Sequence, residues 1–252
     1  MLKFFKIVRQ NLLSESKTGK YVKYAFGEII LVVIGILIAL SINNWNTYRL
    51  DRMVETDYLQ RISNDLTIDT LNFSWTIESL KDKGEALETL LNLLKNQQIA
   101  RIDSTMLLSH IGIGRHLSIA HPGVANGTFQ ELVNTGSMRH VTNTLLRSAI
   151  NNYYLNAEHQ NDRIVKKRTQ SNYSTIVNSR IPGIRRIGDE TDYQDDLISY
   201  RYILDMTKEA EFKTAVIAEY NSALFMLRIQ EAGLIASKEL LDLIMEELND
   251  PN

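Results

Sequence analysis

Histidine is the side chain best suited to acid–base and metal chemistry at neutral pH, and three of the five histidines, His110, His116 and His121, fall close together at spacings of six and five. A helix aims two rings at one metal when they are four residues apart, and the H-E-x-x-H order does not occur. These residues are expected on the surface or in loops. Gly112-Ile113-Gly114 lacks the third glycine, the lysine and the preceding strand of a phosphate loop. Ser137, in Thr135-Gly136-Ser137-Met138, lacks the G-x-S-x-G frame of an activated serine. Asp189, Glu190, Asp192, Asp195 and Asp196 form an acidic patch without the EF-hand order, and read as a solvated charge run. Lys166-Lys167-Arg168 and Arg185-Arg186 have no aromatic residues between them and read as solvated basic faces. Tyr153 and Tyr154 point about 100° apart on a helix, so Tyr153 is expected in the core and Tyr154 along a groove. There is no cysteine, which excludes disulfides, thiolate metal sites and a cysteine nucleophile. No acid–base or nucleophile set emerges, so the expectation is of no enzyme, no catalytic residue, no cofactor and no metal.

The element that must position everything else is a membrane span. Ile29 to Ile42 runs fourteen residues without a charge, and the apolar stretch extends from about Ala25 to Trp45. Twenty-one helical residues rise about 31 Å, close to the hydrocarbon thickness of a bilayer. Tyr21 and Tyr24 flank one end and Trp45 and Tyr48 the other, as interfacial anchors do. Residues 1–28 carry six basic side chains against Glu15 and Glu28, a balance of +4 that leaves −6 on the remainder of a chain whose net charge is −2. The positive-inside rule then places the N-terminus in the cytoplasm and the C-terminal domain beyond the cytoplasmic membrane, in the periplasm of a two-membrane bacterium. A cleaved signal peptide would have an unusually long basic region and lacks an A-x-A site. A buried core helix rarely has this one-sided basic flank. Within the span Glu28, Gly35, Ala39 and Asn46 share one face, with Gly35 and Ala39 forming a small-xxx-small pair, so this face is the candidate helix–helix contact. Glu28 reaching the headgroups from the membrane edge is the alternative. Leu2, Phe5, Val8 and Leu12, with Lys3, Lys6 and Arg9 between them, read either as a basic amphipathic helix on the inner leaflet or as a solvated tail.

Beyond Tyr48 the pattern becomes amphipathic. Leu59, Ile62, Leu66, Phe73, Ile77, Leu80, Leu87, Leu91 and Leu94 alternate at three and four, with Asp69 and Gly84 out of character in the same stripe. No proline precedes Pro122, so this helix is predicted to continue directly from the span. A shorter helix is predicted over Asp103–His116, capped by Asp103 or Ser104. A loop follows over 121–127. Thr128 and Glu131 then read as a capping box, with a helix over Phe129–Thr135 and Gly136 as its C′ residue. A helix from Asn143 toward Asn178, a loop over Arg180–Asp196 and a final helix from Thr207 to Leu248, with Phe212, Val216, Tyr220, Leu224 and Leu227 as its stripe, continued by Leu241, Ile244 and Leu248, complete the chain. The fold class is therefore all-α, with one N-terminal transmembrane helix and a bundle of long amphipathic helices. Its division is a basic cytoplasmic segment, 1–20, a span with its flanks, 21–46, and an extracytoplasmic domain, 47–252.

Two blocks carry a resemblance. The first is Gly27-Glu28-Ile29-Ile30-Leu31-Val32-Val33-Ile34-Gly35-Ile36-Leu37-Ile38-Ala39-Leu40, followed by Ile42-Asn43-Asn44-Trp45-Asn46. The second is Phe129-Gln130-Glu131-Leu132, Gly136, Leu145-Leu146-Arg147 and Asn152-Tyr153-Tyr154. Together they resemble a family of uncharacterised single-pass membrane proteins of Bacteroidetes, domain of unknown function 6090. Ser41 stands where that family often has Gln. The resemblance implies an inner-membrane location and a helical extracytoplasmic part, and it implies no activity.

A mildly acidic domain argues against nucleic acid as a partner. The expected partners are the lipid bilayer and either a second copy of the chain or another envelope protein. The leading functional expectation is a non-catalytic interaction or scaffold module. The alternative is a ligand-sensing bundle whose signal passes to a partner protein, since only about twenty residues precede the span.

Overall fold

Nothing between Thr18 and Lys95 interrupts a helix, and in the computed structural model those 78 residues form one, α1 (Thr18–Lys95). The structure describes residues 18–115, 123–168, 170–181 and 200–249. The N-terminal amphipathic segment, His116, His121, Arg185-Arg186 and the acidic run from Asp189 to Asp196 lie outside them, as do the side chains of Tyr21 and Tyr24. The chain divides into two units, Met1–Glu55 and Thr56–Asn252.

In the first unit every residue from Phe26 through Leu50 is exposed, on all faces of α1. This is a helix long and apolar enough to cross a membrane. Two of its hydroxyls bond to the helix's own backbone, as hydrocarbon surroundings favour. Ser41 donates from Oγ to the Leu37 carbonyl at 2.8 Å, and Thr47 from Oγ1 to that of Asn43 at 3.0 Å.

The second unit is a helical bundle. The rest of α1 packs with α2 (Ser104–Arg115), α3 (Gly127–Asn134), α4 (Thr144–Arg168), α5 (Tyr173–Arg180), α6 (Tyr200–Lys208) and α7 (Ala210–Asn249). Among the described residues there is no strand. The stripe of α1 enters three separate cores. Leu59, Ile62 and Leu66 meet Leu132, Ile150 and Ile244; Leu80 meets Ile164 and Met226; Leu87 and Leu90 meet Leu107, Tyr173 and Phe212. Two buried charges stand on the helix between these cores. Asp69 lies between the first two, and Lys83, paired with Glu219 of α7, between the second and third. α1 ends where Gln97 takes a left-handed φ of 55° and Gln98 N–H reaches back to the Leu93 carbonyl at 3.0 Å, satisfying an orphan carbonyl of the last turn.

Several local signals hold. Asp103 accepts from Thr105 N–H at 3.0 Å at the start of α2. Asn143 accepts from Leu145 and Leu146 N–H at 3.1 and 3.2 Å at the start of α4. Gly136 sits at φ 69° just beyond α3. Others are corrected. Thr128 and Glu131 do not form a capping box. The N-cap is Asn126, no side chain caps it, and Thr128 is buried inside α3. Glu131 is instead drawn to α1, accepting from Tyr58 O–H at 3.1 Å and pairing with Arg61. The helix from Asn143 stops at Arg168, with three basic residues in its last turn, and restarts at Tyr173, whose N–H Ser171 Oγ accepts at 3.3 Å. The predicted final helix, Thr207 to Leu248, is α7, Ala210–Asn249, and a short helix not read from the sequence, α6, precedes it, the two meeting at Glu209. Of the expected stripe of α7, Phe212, Val216 and Ile244 are buried and Tyr220, Leu224 and Leu227 are half-buried, while Ala215, Ser222 and Ala223 are buried beside them.

Candidate functional site

The site is built on Asp69. A carboxylate in an apolar stripe is stable only if its oxygens find donors, and Asp69, 2% exposed, finds them on two other elements. Its Oδ1 accepts from Ala125 N–H at 2.8 Å, and its Oδ2 accepts from Tyr153 O–H at 2.8 Å. The first bond fastens the segment before α3 to α1; the second fastens α4. Burial, reinforced by the neighbouring Asp69 charge, pushes the Tyr153 phenol well above its ordinary range and keeps it a donor.

Beside this junction lies a cavity of about 330 Å³. α1 lines it with Asp69, Asn72, Phe73 and Thr76, at helical spacings of three and four. α4 contributes Tyr153, Asn156, Ala157, Gln160, Asn161 and Ile164 by the same periodicity. α7 contributes Ile229, Gln230, Ala232, Gly233 and Ala236, and Gly123 and Val124 close one side. The space exists because small residues face one another: Ala157 on α4, and Ala232, Gly233 and Ala236 on α7. Gly233 lets the Phe73 ring sit against α7, since a Cβ there would lie 2.6 Å from that ring and displace it.

The chemistry of the lining is one-sided. Five carboxamides line it, from Asn72, Asn156, Gln160, Asn161 and Gln230, and among the described lining residues Asp69 is the single ionisable carboxyl. No lysine, arginine or histidine is among the described lining residues. Thr76 Oγ1 is engaged with the Asn72 carbonyl at 2.8 Å, and Gln160 Oε1 accepts from Arg163 at 2.9 Å. Among the described residues no three His, Asp or Glu side chains are placed to hold a metal ion.

The two tyrosines exchange their expected roles in part. Both are buried, but Tyr153 is the one that lines the cavity, whereas Tyr154 stacks on Phe129 with ring centroids 4.3 Å apart. Burial raises the Tyr154 phenol too. Among the described residues its hydroxyl finds no hydrogen-bond partner, and neither does Oδ2 of Asp65 one turn before Asp69. The expected contact residues Glu28, Gly35, Ala39 and Asn46 and the anchors Trp45 and Tyr48 are all exposed on α1, and a Cβ at Gly35 would meet nothing within 4 Å. His110 is engaged locally, its Nδ1 2.6 Å from the Met106 carbonyl. Asp69 was marked in the sequence as an anomaly in its stripe. The carboxamides carried no such signal, since polar residues at these spacings ordinarily mark a solvated helix face.

The junction makes opposite demands on adjacent tyrosines. Tyr153→Phe removes a donor to a buried carboxylate and is expected to destabilise the bundle by about 1.5–3 kcal/mol. Tyr154→Phe removes a buried hydroxyl that has no partner and is expected to be neutral or mildly stabilising, within about 0.5 kcal/mol. Thermal or urea unfolding of the two variants side by side checks the pair. Equal losses would show that the Asp69 bond does not organise this junction.

No curated protein and no solved structure matches the chain. The sequence from residue 28 to residue 179, which includes the cavity-lining parts of α1 and α4, matches the Family of unknown function (DUF6090), and the chain belongs to that family.

Proposed function

We propose that this is a single-pass protein of the bacterial cytoplasmic membrane whose helical domain lies on the far side and works by binding a small molecule. The cavity between α1, α4 and α7 carries the reading. At about 330 Å³ it falls at the lower end of the roughly 300–1,000 Å³ range of ligand pockets, with apolar walls and a few convergent polar groups. Carboxamides do not titrate, Tyr153 stays protonated, and each Asp69 oxygen already holds a donor, so the lining is suited to holding a ligand and poorly suited to moving a proton. In the full-length chain reconstituted in phospholipid nanodiscs, at least one compound of a broad metabolite library should raise Tm by about 3 °C or more. Ala236→Phe and Ala157→Leu, which fill the space, should lose most of that rise. A library without a hit, or shifts that survive both fillings, would sink the reading.

The membrane part rests on the apolar helix exposed on every face, which water does not tolerate over this length, and on the six basic residues before it. In this reading Tyr21, Tyr24, Trp45 and Tyr48 anchor the span at its two interfaces, while Glu28, Gly35, Ala39 and Asn46 form the face offered to a second helix. A periplasm-dependent phosphatase fused to the C-terminus should be active, and a reporter that folds only in the cytoplasm should stay dark. The reverse pattern overturns the orientation.

A second reading, a scaffold that binds another envelope protein or its own copy, is favoured by Ile68, Leu71 and Trp75. They stand three and four apart on α1 at 50%, 67% and 51% exposure. A photoreactive residue at position 71 or 75 should crosslink in intact cells to a product of discrete mass. If neither position crosslinks to protein, that face has no partner.

A further inference from the structure

We infer that the cavity ligand is an uncharged polyhydroxyl compound of monosaccharide to disaccharide size, an assignment that rests on the ligand-binding reading above. Charge decides first. Among the described lining residues Asp69 is the only ionisable carboxyl, and no cationic side chain opposes it. A phosphate or carboxylate brought here would meet a like charge in a partly water-excluded space, with no cation among the described lining residues to neutralise its own.

Hydrogen-bond character decides next. The side chains of Asn72, Asn156, Asn161 and Gln230 make no hydrogen bond to other described residues, and Gln160 engages only its oxygen, with Arg163. Each carboxamide presents an acceptor oxygen and a donor NH2 in one plane. A hydroxyl both donates and accepts, so a molecule carrying several hydroxyls can meet this mixed set without leaving either kind unpaired. A purely cationic ligand would use the carboxamide oxygens and leave the NH2 groups without acceptors. The Asp69 charge would attract such a cation, but the carboxylate is 2% exposed and both oxygens hold donors, so it offers the cation no ready direct pairing. The Phe73 ring, pressed against Gly233, supplies an apolar wall for the C–H face that a sugar ring turns away from its hydroxyls.

The test uses the full chain in phospholipid nanodiscs, free of glucoside and maltoside detergents, which would themselves compete. Three sets of probes are titrated: glucose, maltose and trehalose; inorganic phosphate and glutamate; and spermidine. At least one sugar should bind saturably and raise Tm by several degrees. Asn161→Leu and Gln230→Leu should each weaken that binding about tenfold or more while helicity by circular dichroism is retained. Saturable binding of phosphate, glutamate or spermidine with none of any sugar overturns the assignment of ligand class and leaves the binding reading standing. Sugar binding that neither substitution weakens overturns the assignment to this cavity. Silence from all three sets also overturns the class, and the broad library with its cavity-filled variants decides separately whether the cavity binds anything.

Discussion

The bundle depends on how one helix distributes its buried stripe. α1 supplies residues to all three hydrophobic cores of the second unit, and the cores are separate because Asp69 and Lys83 stand between them on that same stripe. Each charge must be answered from another element, since a buried charge without partners costs several kcal/mol. Asp69 takes its donors from Tyr153 and Ala125, and Lys83 pairs with Glu219. The answering groups therefore fix where α4, the segment before α3, and α7 can lie. Apolar contact alone tolerates sliding by a turn, whereas a carboxylate with two specified donors does not.

The cavity follows from the same arrangement. The first core ends at Asp69 and the second begins at Leu80, and the wall between them on α1 is Asn72, Phe73 and Thr76. Opposite this stretch α4 and α7 present carboxamides, alanines and a glycine in place of large apolar side chains. The helices remain at packing distance because the cores on either side hold them there, and the small residues leave the space between. Gly233 against the Phe73 ring shows how closely α7 approaches at this level. A pocket made by close helices with short side chains is pre-formed, which lowers the ordering that a ligand must impose.

Much of this was legible in residue order. The apolar stretch, its aromatic flanks and the three-and-four stripe of α1 follow from periodicity, and the caps at Asp103, Asn143 and Gly136 follow from local backbone chemistry. The failures have a common cause. Thr128 and Glu131 have the spacing of a capping box, but Glu131 is better satisfied by Tyr58 and Arg61, which lie some seventy positions earlier in the chain. The stripe of α7 was read from its largest apolar residues, while its buried line includes Ala215, Glu219, Ser222 and Ala223, whose small size or charge pairing places them inside. Lys83 and Glu219 each occupy a stripe position, and each alone reads as an ordinary surface charge.

Sequence by itself determined that long helices dominate this chain, where one helix is apolar on every side and where it becomes amphipathic, because those properties depend on neighbours within about four residues. It also marked Asp69 as out of place. Only the tertiary structure decided that Asp69 is a junction, that Tyr153 rather than Tyr154 faces the open space, and that five scattered carboxamides share one cavity. Those relations join residues as much as 56, 84 and 158 positions apart (Asp69 with Ala125, Asp69 with Tyr153, Asn72 with Gln230), and a hydrogen bond or a void at that separation is set by packing that no local pattern encodes.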